Sequence, residues 1–206
     1  MSTTRTRVPY HEAARQLLRD SVLDGARELL TTKPWSEITM AEVAATAGMS
    51  RQTLYKEFRS RQGLAAGYLL RLVDQFLDSV EAEVSAHPGD ARGAIASAFG
   101  VFFAEGTQDP MVLNIAGPRP QHDLLSLVTT EGQPILERAT ERLTEIFVGS
   151  WANVSHHDAA IFSACIVRLG ISHMTLTLGD PSRAAADLGE LFGPFLDRAI
   201  SVEARP

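Results

Sequence analysis

The sequence predicts an all-α fold, and three observations carry that prediction. Apolar residues recur at three- and four-residue intervals along most of the 206 positions, the spacing of one helical face. No strand-like alternation persists beyond a few residues. Proline, glycine and capping residues stand where helices should begin and stop. The pattern divides into eight to ten helices, with no low-complexity tract and no internal repeat.

The first helix is marked by Ala14, Leu18, Val22, Ala26, Leu29 and Leu30, with Pro34 just beyond its end. Two short helices follow between Thr39 and Phe58, broken at Gly48. A long helix starts near Ser60 and stops at His87-Pro88-Gly89. The next spans about Ala91 to Glu105, and Asp109-Pro110 opens a short one, since proline suits the first helical turn. GPRPQHD, residues 117–123, is the clearest loop, followed by a short helix over about Asp123–Thr130. Pro134 opens a helix through Asn153. Ser155 caps one that reaches Leu178-Gly179. Asp180-Pro181-Ser182 starts the last, through about Val202. No linker separates front from body, because the helix from Ser60 enters both. The expected division is 1–59 and 60–206.

The segment TMAEVAATAGMSRQTLYKEFRSRQGL, residues 39–64, carries the chemistry. Thr39 and Glu42 form a T-x-x-E capping box. Val43, Ala44 and Ala47 supply an inner face. Gly48 can take the left-handed turn that ends the first short helix, and Ser50 can cap the second. Leu54 and Phe58, four apart, turn inward. Arg51, Gln52, Thr53, Tyr55 and Lys56 are left outside. This is the spacing of a helix-turn-helix, whose second helix fits the major groove of duplex DNA. Arginine can bond guanine edges there and glutamine adenine edges. Thr53, Tyr55 and Lys56 suit phosphates, as does Arg61 at the start of the long helix. The candidate DNA-binding set is Thr39, Ser50, Arg51, Gln52, Thr53, Tyr55, Lys56 and Arg61. Arg5 and Arg7 in the N-terminal arm, with Arg15 and Arg19 after them, form a further basic element that suits DNA or solvent alike.

Charge is distributed accordingly. The net charge of −6 conceals 10 Lys and Arg against 7 Asp and Glu in residues 1–67, and 9 against 18 in residues 68–206. A basic front on an acidic body fits a DNA-facing module. With 45% apolar residues the chain can bury a core. No apolar run is long enough to span a bilayer, and the N-terminus lacks a secretory apolar centre. The single cysteine, Cys165, excludes an internal disulfide framework. A cytoplasmic, reduced location is expected, with no membrane partner.

The residues Ile38-Thr39, Val43-Ala44, Ala47-Gly48-Met49-Ser50, Thr53-Leu54-Tyr55, Phe58, Ser60-Arg61 and Leu64 together resemble the DNA-binding domain of the TetR family of bacterial transcriptional regulators. The likeness covers Val22–Leu64. Three departures stand out: Arg61 where lysine is usual, Gln62 where glutamate is common, and Lys56-Glu57 in place of a pair containing tyrosine or histidine. The resemblance implies a three-helix head on operator DNA, and a helical body that dimerises and binds a small effector. It further implies a repressor released by that ligand.

A dimer also follows from geometry, since one helix-turn-helix covers too few base pairs for useful specificity. The last two helices offer small residues for close pairing: Ala159, Ala160, Ser163, Ala164 and Gly170 on one, Ala184, Ala185, Ala186 and Gly189 on the other. The same residues suit packing within one subunit. For the effector, the candidate lining is Phe99, Phe102, Phe103, Met111, Asn114, Ile115, His122, Leu125, Phe147, Trp151, Phe162, Arg168, Leu169 and His173. Each apolar member also suits an ordinary core. Their collective character favours a lipophilic effector (fatty acid, acyl ester, alkane or sterol-like compound) over a cationic drug. Polar members such as Asn114, His122, Arg168 or His173 would meet its head.

No G-x-S-x-G elbow, Walker loop or H-E-x-x-H occurs, and Cys165 has no metal-ligand partner in sequence. No catalytic residue, metal or cofactor is expected. A DNA-binding dimer controlled by a partner protein, its core filled, is the alternative reading; a small helical enzyme is the remote one.

Overall fold

The computed structural model describes residues 9–117, 120–176 and 180–203. Arg5, Arg7, Leu178 and Gly179 lie outside them, as does part of the loop expected at 117–123. The ten α-helices described are α1 (Tyr10–Leu30), α2 (Met40–Thr46), α3 (Arg51–Phe58), α4 (Arg61–Ala86), α5 (Ala91–Gly106), α6 (Pro110–Ala116), α7 (His122–Leu125), α8 (Gln133–Gly149), α9 (His156–Thr175) and α10 (Pro181–Glu203). Short 3₁₀ turns occupy Trp35–Glu37 and Ser126–Val128. No strand occurs among the described residues.

Two compact units result, Met1–Tyr68 and Leu69–Pro206. The boundary falls inside α4 rather than at the expected 59/60. Leu64, Ala65 and Tyr68, on its first two turns, are buried and belong to the first unit.

In the first unit, α1 buries Val22, Leu23, Ala26 and Leu30, while residues 10–17 are exposed. Ala14, expected on the apolar stripe, is therefore solvated. Helix α2 has only seven residues, too few to persist alone. It is held by its ends and by Met40, Val43 and Ala44, all buried. The capping box forms as expected: Thr39 Oγ1 accepts from the Glu42 N–H, and the Thr39 N–H donates to the Glu42 carboxylate. At the other end Gly48 has φ of +66°. Its N–H donates to the Ala45 carbonyl, and the Met49 N–H to the Ala44 carbonyl, a Schellman closure. Ser50 Oγ accepts from the Thr53 N–H and starts α3.

In the second unit α5 packs along α10 and α8 along α9. Within this body α4 is pinned by ion pairs to α8, Arg138 to Asp74 and Arg142 to Asp78 and Glu81. Hydrogen bonds tie it to α5, Ser79 to Glu105 and Ser97 to Glu83. Helix α8 ends at Gly149, short of the expected Asn153. Ser150 is extended and Asn153 has φ of +44°, so the helix cannot continue. Asp109 caps α6, accepting from the Met111 and Val112 N–H groups.

The small residues of α9 and α10 divide between inside and outside. Ala159, Ser163, Gly170, Ala185 and Gly189 are buried within the chain. Gly189 lies against Ala96 and Arg92 of α5, and Gly170 against Phe102 and Phe99. Ala160, Ala164, Ala184 and Ala186 remain partly or fully exposed. Much of the stripe therefore serves packing within one subunit.

Candidate functional site

Helix α3 presents two opposed faces because of where its apolar residues fall. Leu54 and Phe58 are buried and anchor it. Arg51, Gln52, Tyr55 and Lys56 are exposed on the other side, at spacings of one, four and five residues, one helical face. Among the described residues none of these four side chains has a hydrogen bond or ion pair. Their donors are available for a groove. Burying Leu54 and Phe58 fixes the helix, and the polar face follows from that choice.

The capping residues stand differently. Thr39 Oγ1 donates to Glu42 Oε2 at 2.8 Å, so its proton is already used. Ser50 Oγ and Thr53 Oγ1 are 2.8 Å apart, bonded to each other across the first turn of α3. These three hold the helix ends.

Arg61 corrects the expectation. Its Nη1 donates to the carbonyl oxygens of Trp35, Ser36 and Ile38 at 3.2, 3.3 and 3.4 Å. Its guanidinium lies 5.2 Å from the centre of the buried Trp35 ring. It is turned toward the 3₁₀ turn between α1 and α2, where three carbonyls converge; that of Trp35 also accepts from the Ile38 N–H. Arg15 and Arg19 also differ from the DNA reading, since both bond Glu57 on α3. Burial works to raise the Glu57 pKa, but the bonds from the two arginines outweigh it, and the carboxyl sits below its ordinary range.

Arg59 was missed. It is exposed, with φ of +64° and ψ of −46°, in a γ-turn closed by the Ser60 N–H donating to the Phe58 carbonyl at 2.7 Å. An arginine held in this left-handed region is strained. It stands eight residues after Arg51, at the end of the exposed face. Its positive φ is a property of the folded turn that local sequence does not announce.

The body contains a cavity of about 110 Å³. Its walls come from α4 (Val73, Phe76, Leu77, Val80, Val84), α5 (Ile95, Ala98, Phe99, Phe102), α8 (Ile135, Ala139, Leu143, Phe147) and α9 (Ile166, Val167, Gly170, Ile171). Every wall residue is apolar, so water has no partner there. A second cavity of about 80 Å³ shares Val73, Phe76, Phe102, Ile135 and Ile171 with the first. Phe76 and Phe102 meet edge to face at 5.2 Å between centroids. A third, of about 70 Å³, shares Val112 and Met174 with the second and adds Thr107, His173 and Asp180. The three are neighbours through these shared walls, and the third, though mostly apolar, carries polar side chains that the first lacks. His173 Nδ1 is 2.9 Å from the Leu169 carbonyl. A carbonyl only accepts, so Nδ1 carries a proton in this contact.

Of the residues expected to line a site, Phe99, Phe102 and Phe147 line the first cavity, Ile115 the second, and Phe103 and His173 the third. The others do not line these cavities. Met111 is wholly buried in packing. Asn114 donates to the Pro110 carbonyl. His122 is exposed, and Arg168 is exposed and bonded to the Ala164 carbonyl. Trp151 Nε1 donates to the Val84 carbonyl at 2.6 Å. Phe162 packs among Phe147, Phe192 and Phe195. Leu125 and Leu169 are half-buried elsewhere. The α4 wall and the α8 residues Ile135, Ala139 and Leu143 lie outside the expected set, although Val73, Phe76, Leu77, Val80 and Val84 form a legible helical stripe.

Comparison with known proteins agrees with this geometry. Residues 22–67 match the model of bacterial regulatory proteins of the tetR family, and residues 90–194 that of the C-terminal domain of the bacterial tetracyclin repressor. The HTH-type transcriptional regulator AlkX of Mycobacterium tuberculosis is 46% identical over 192 residues, 93% of this chain and 91% of that protein. The crystal structure of the TetR family repressor AlkX from Dietzia sp. strain DQ12-45-1b, implicated in biodegradation of n-alkanes, superposes with a TM-score of 0.82. It is 36% identical, covering 88% of this chain and 96% of that one. FadR of Bacillus halodurans, a fatty acid degradation regulator, shares the fold at a TM-score of 0.57 and 13% identity. With both family models matched and a relative this similar along nearly its whole length, the chain belongs to the TetR family and is a helix-turn-helix transcriptional regulator.

Proposed function

We propose that the chain is a repressor that grips a palindromic operator as a two-fold dimer and releases it when an alkyl-chain molecule enters the body. An alkane, fatty acid or acyl ester is the class expected. The observation that carries this is the dry cavity of about 110 Å³ walled by four helices without a polar side chain. It is smaller than the roughly 150 Å³ that admits a benzene ring in an engineered apolar cavity. A longer chain would extend past Phe76 and Phe102 into the second cavity, with any polar head toward Thr107 and His173. The n-alkane connection of the Dietzia relative supports the same class. A filled core answering only to a partner protein is disfavoured by these voids.

Helix α4 would carry the signal. Val73, Phe76, Leu77, Val80 and Val84 wall the cavity, and the same helix begins at Arg61 behind α3. Release requires that the ligand prefer the non-binding arrangement, since equal affinity for both shifts nothing. The dimer would cover the exposed apolar Ile161 of α9 and Leu191 of α10, 48% and 65% exposed. Half-sites would then be spaced by about one helical turn, roughly 34–36 Å, or a multiple.

The test is fluorescence anisotropy on DNA from upstream of the protein's own gene, titrated with a chain-length series of alkanes and fatty acids. Graded release with length is expected. Release only by polar or cationic compounds would sink the proposal.

A further inference from the structure

Glu57 places a carboxylate on the helix that faces DNA, where it should repel phosphate. The structure gives it other partners. Arg15 Nε donates to Glu57 Oε1 at 3.2 Å and Oε2 at 3.0 Å. Arg19 Nη1 donates to Oε1 at 2.5 Å, and its guanidinium lies 4.9 Å from the Phe58 ring centre. Glu57 retains 11% of its side-chain exposure, against 31% for Arg19 and 67% for Arg15.

The surroundings are built for this contact. A Cβ on Gly67 of α4 would lie 2.9 Å from Phe58 Cε1 and 3.5 Å from Arg19 Nη2. Only a glycine lets Phe58 and Arg19 settle together against α4 at this distance. The cluster thus joins α1, α3 and α4 within the first unit. It also ties down a stretch of α1 with no buried residue before Val22. Arg15 and Arg19 are four apart, on one face, so a single carboxylate can take both.

We propose that Glu57 is a positioning residue: clamped by Arg15 and Arg19, it sets the pose of the recognition helix and so the operator affinity, without touching DNA. An acidic residue on α3 is then compatible with DNA binding because two cations neutralise it in place.

The sign of one substitution tests the idea. Glu57→Gln removes a negative charge from the DNA-facing helix. If Glu57 only repelled phosphate, binding would tighten on every sequence. The clamp expects operator affinity to fall roughly five- to tenfold, the scale of one net hydrogen bond, with the slope of log affinity against log salt unchanged. Arg19→Ala should give a similar loss, and the Glu57→Gln/Arg19→Ala double variant no more than the larger single one. The intact dimer is used throughout, with circular dichroism confirming the folded head at assay temperature. Should Glu57→Gln unfold, Arg15→Ala decides: lowered affinity with an unchanged salt slope supports the clamp, and a slope reduced by about one marks a direct phosphate contact and overturns it. Equal or tighter operator binding by folded Glu57→Gln also overturns it.

Discussion

The guanidinium of Arg61 lies 5.2 Å from the centre of the Trp35 ring and donates to the Trp35 carbonyl at 3.2 Å. A residue expected to meet phosphate instead braces the turn between α1 and α2. Arg61→Ala should lower the stability of the folded head by about 2 kcal/mol, the range for a charged donor lost from buried or partly buried acceptors. Arg61→Lys should recover only part, because an ammonium lacks the planar fork and the ring contact. Urea denaturation followed by tryptophan fluorescence in a Trp151→Phe background, which leaves Trp35 as reporter, measures both. Unchanged midpoints would mean that water replaces the guanidinium without loss.

Arg59 holds a positive φ at the end of α3. Arg59→Gly should raise stability by about 1 kcal/mol, since glycine tolerates the φ of +64°. The same change should weaken DNA binding on all sequences and lower the salt slope by about one. A gain in stability with no loss of DNA affinity would show that the side chain serves nothing there.

The exposed face of α3 should divide by chemistry. Gln52→Ala or Arg51→Ala is expected to relax preference at particular base pairs, each by about 1–3 kcal/mol. Lys56→Ala should weaken all sequences alike. Selection from a randomised operator library, run with each variant, separates the two behaviours. Full-strength operator binding by an Arg51, Gln52 and Tyr55 triple alanine variant would remove α3 from the interface.

The start of α2 should be acid-sensitive. The Glu42 carboxyl is held at about 2, against an ordinary 4.5, first by the hydrogen bond from Lys33 and then by the Thr39 hydroxyl and backbone N–H. A depressed folded-state pKa stabilises above the ordinary value and is lost as pH falls through the folded value. The difference in melting temperature between the wild type and Glu42→Gln should therefore be constant above about pH 5 and shrink between about pH 4.5 and 2. A difference that persists at the acid end would assign the effect to the amide itself.

Filling the cavity should separate stability from signalling. Ala139→Leu places methyl groups into the void of about 110 Å³ that Ala139 lines. It should raise stability by about 1 kcal/mol and abolish alkyl-chain release while leaving operator affinity intact. Calorimetry and anisotropy on the same preparation read both. Retained release would place the effector elsewhere.

The α2–α3 turn was legible because its determinants are local. Thr39 and Glu42, Gly48, Ser50, and the Leu54–Phe58 pair act across three or four residues, and helical geometry alone decides their outcome. The body cavity was legible only in part. Phe99, Phe102 and Phe147 were within reach of periodicity, whereas Met111 and Trp151 differ from true wall residues only in what packs beside them.

By itself the sequence determined the helices, the turn between α2 and α3, the face of α3 that stays polar and the family. Each follows from steric and hydrogen-bonding rules operating within a turn or two. Tertiary structure alone decided which cations remain available. Arg15 and Arg19 meet Glu57 across 42 and 38 positions, and Arg61 meets Trp35 across 26. An arginine on a helix can face DNA, water or a neighbour with the same local propensity. Only the folded chain brings the acceptor that settles the choice.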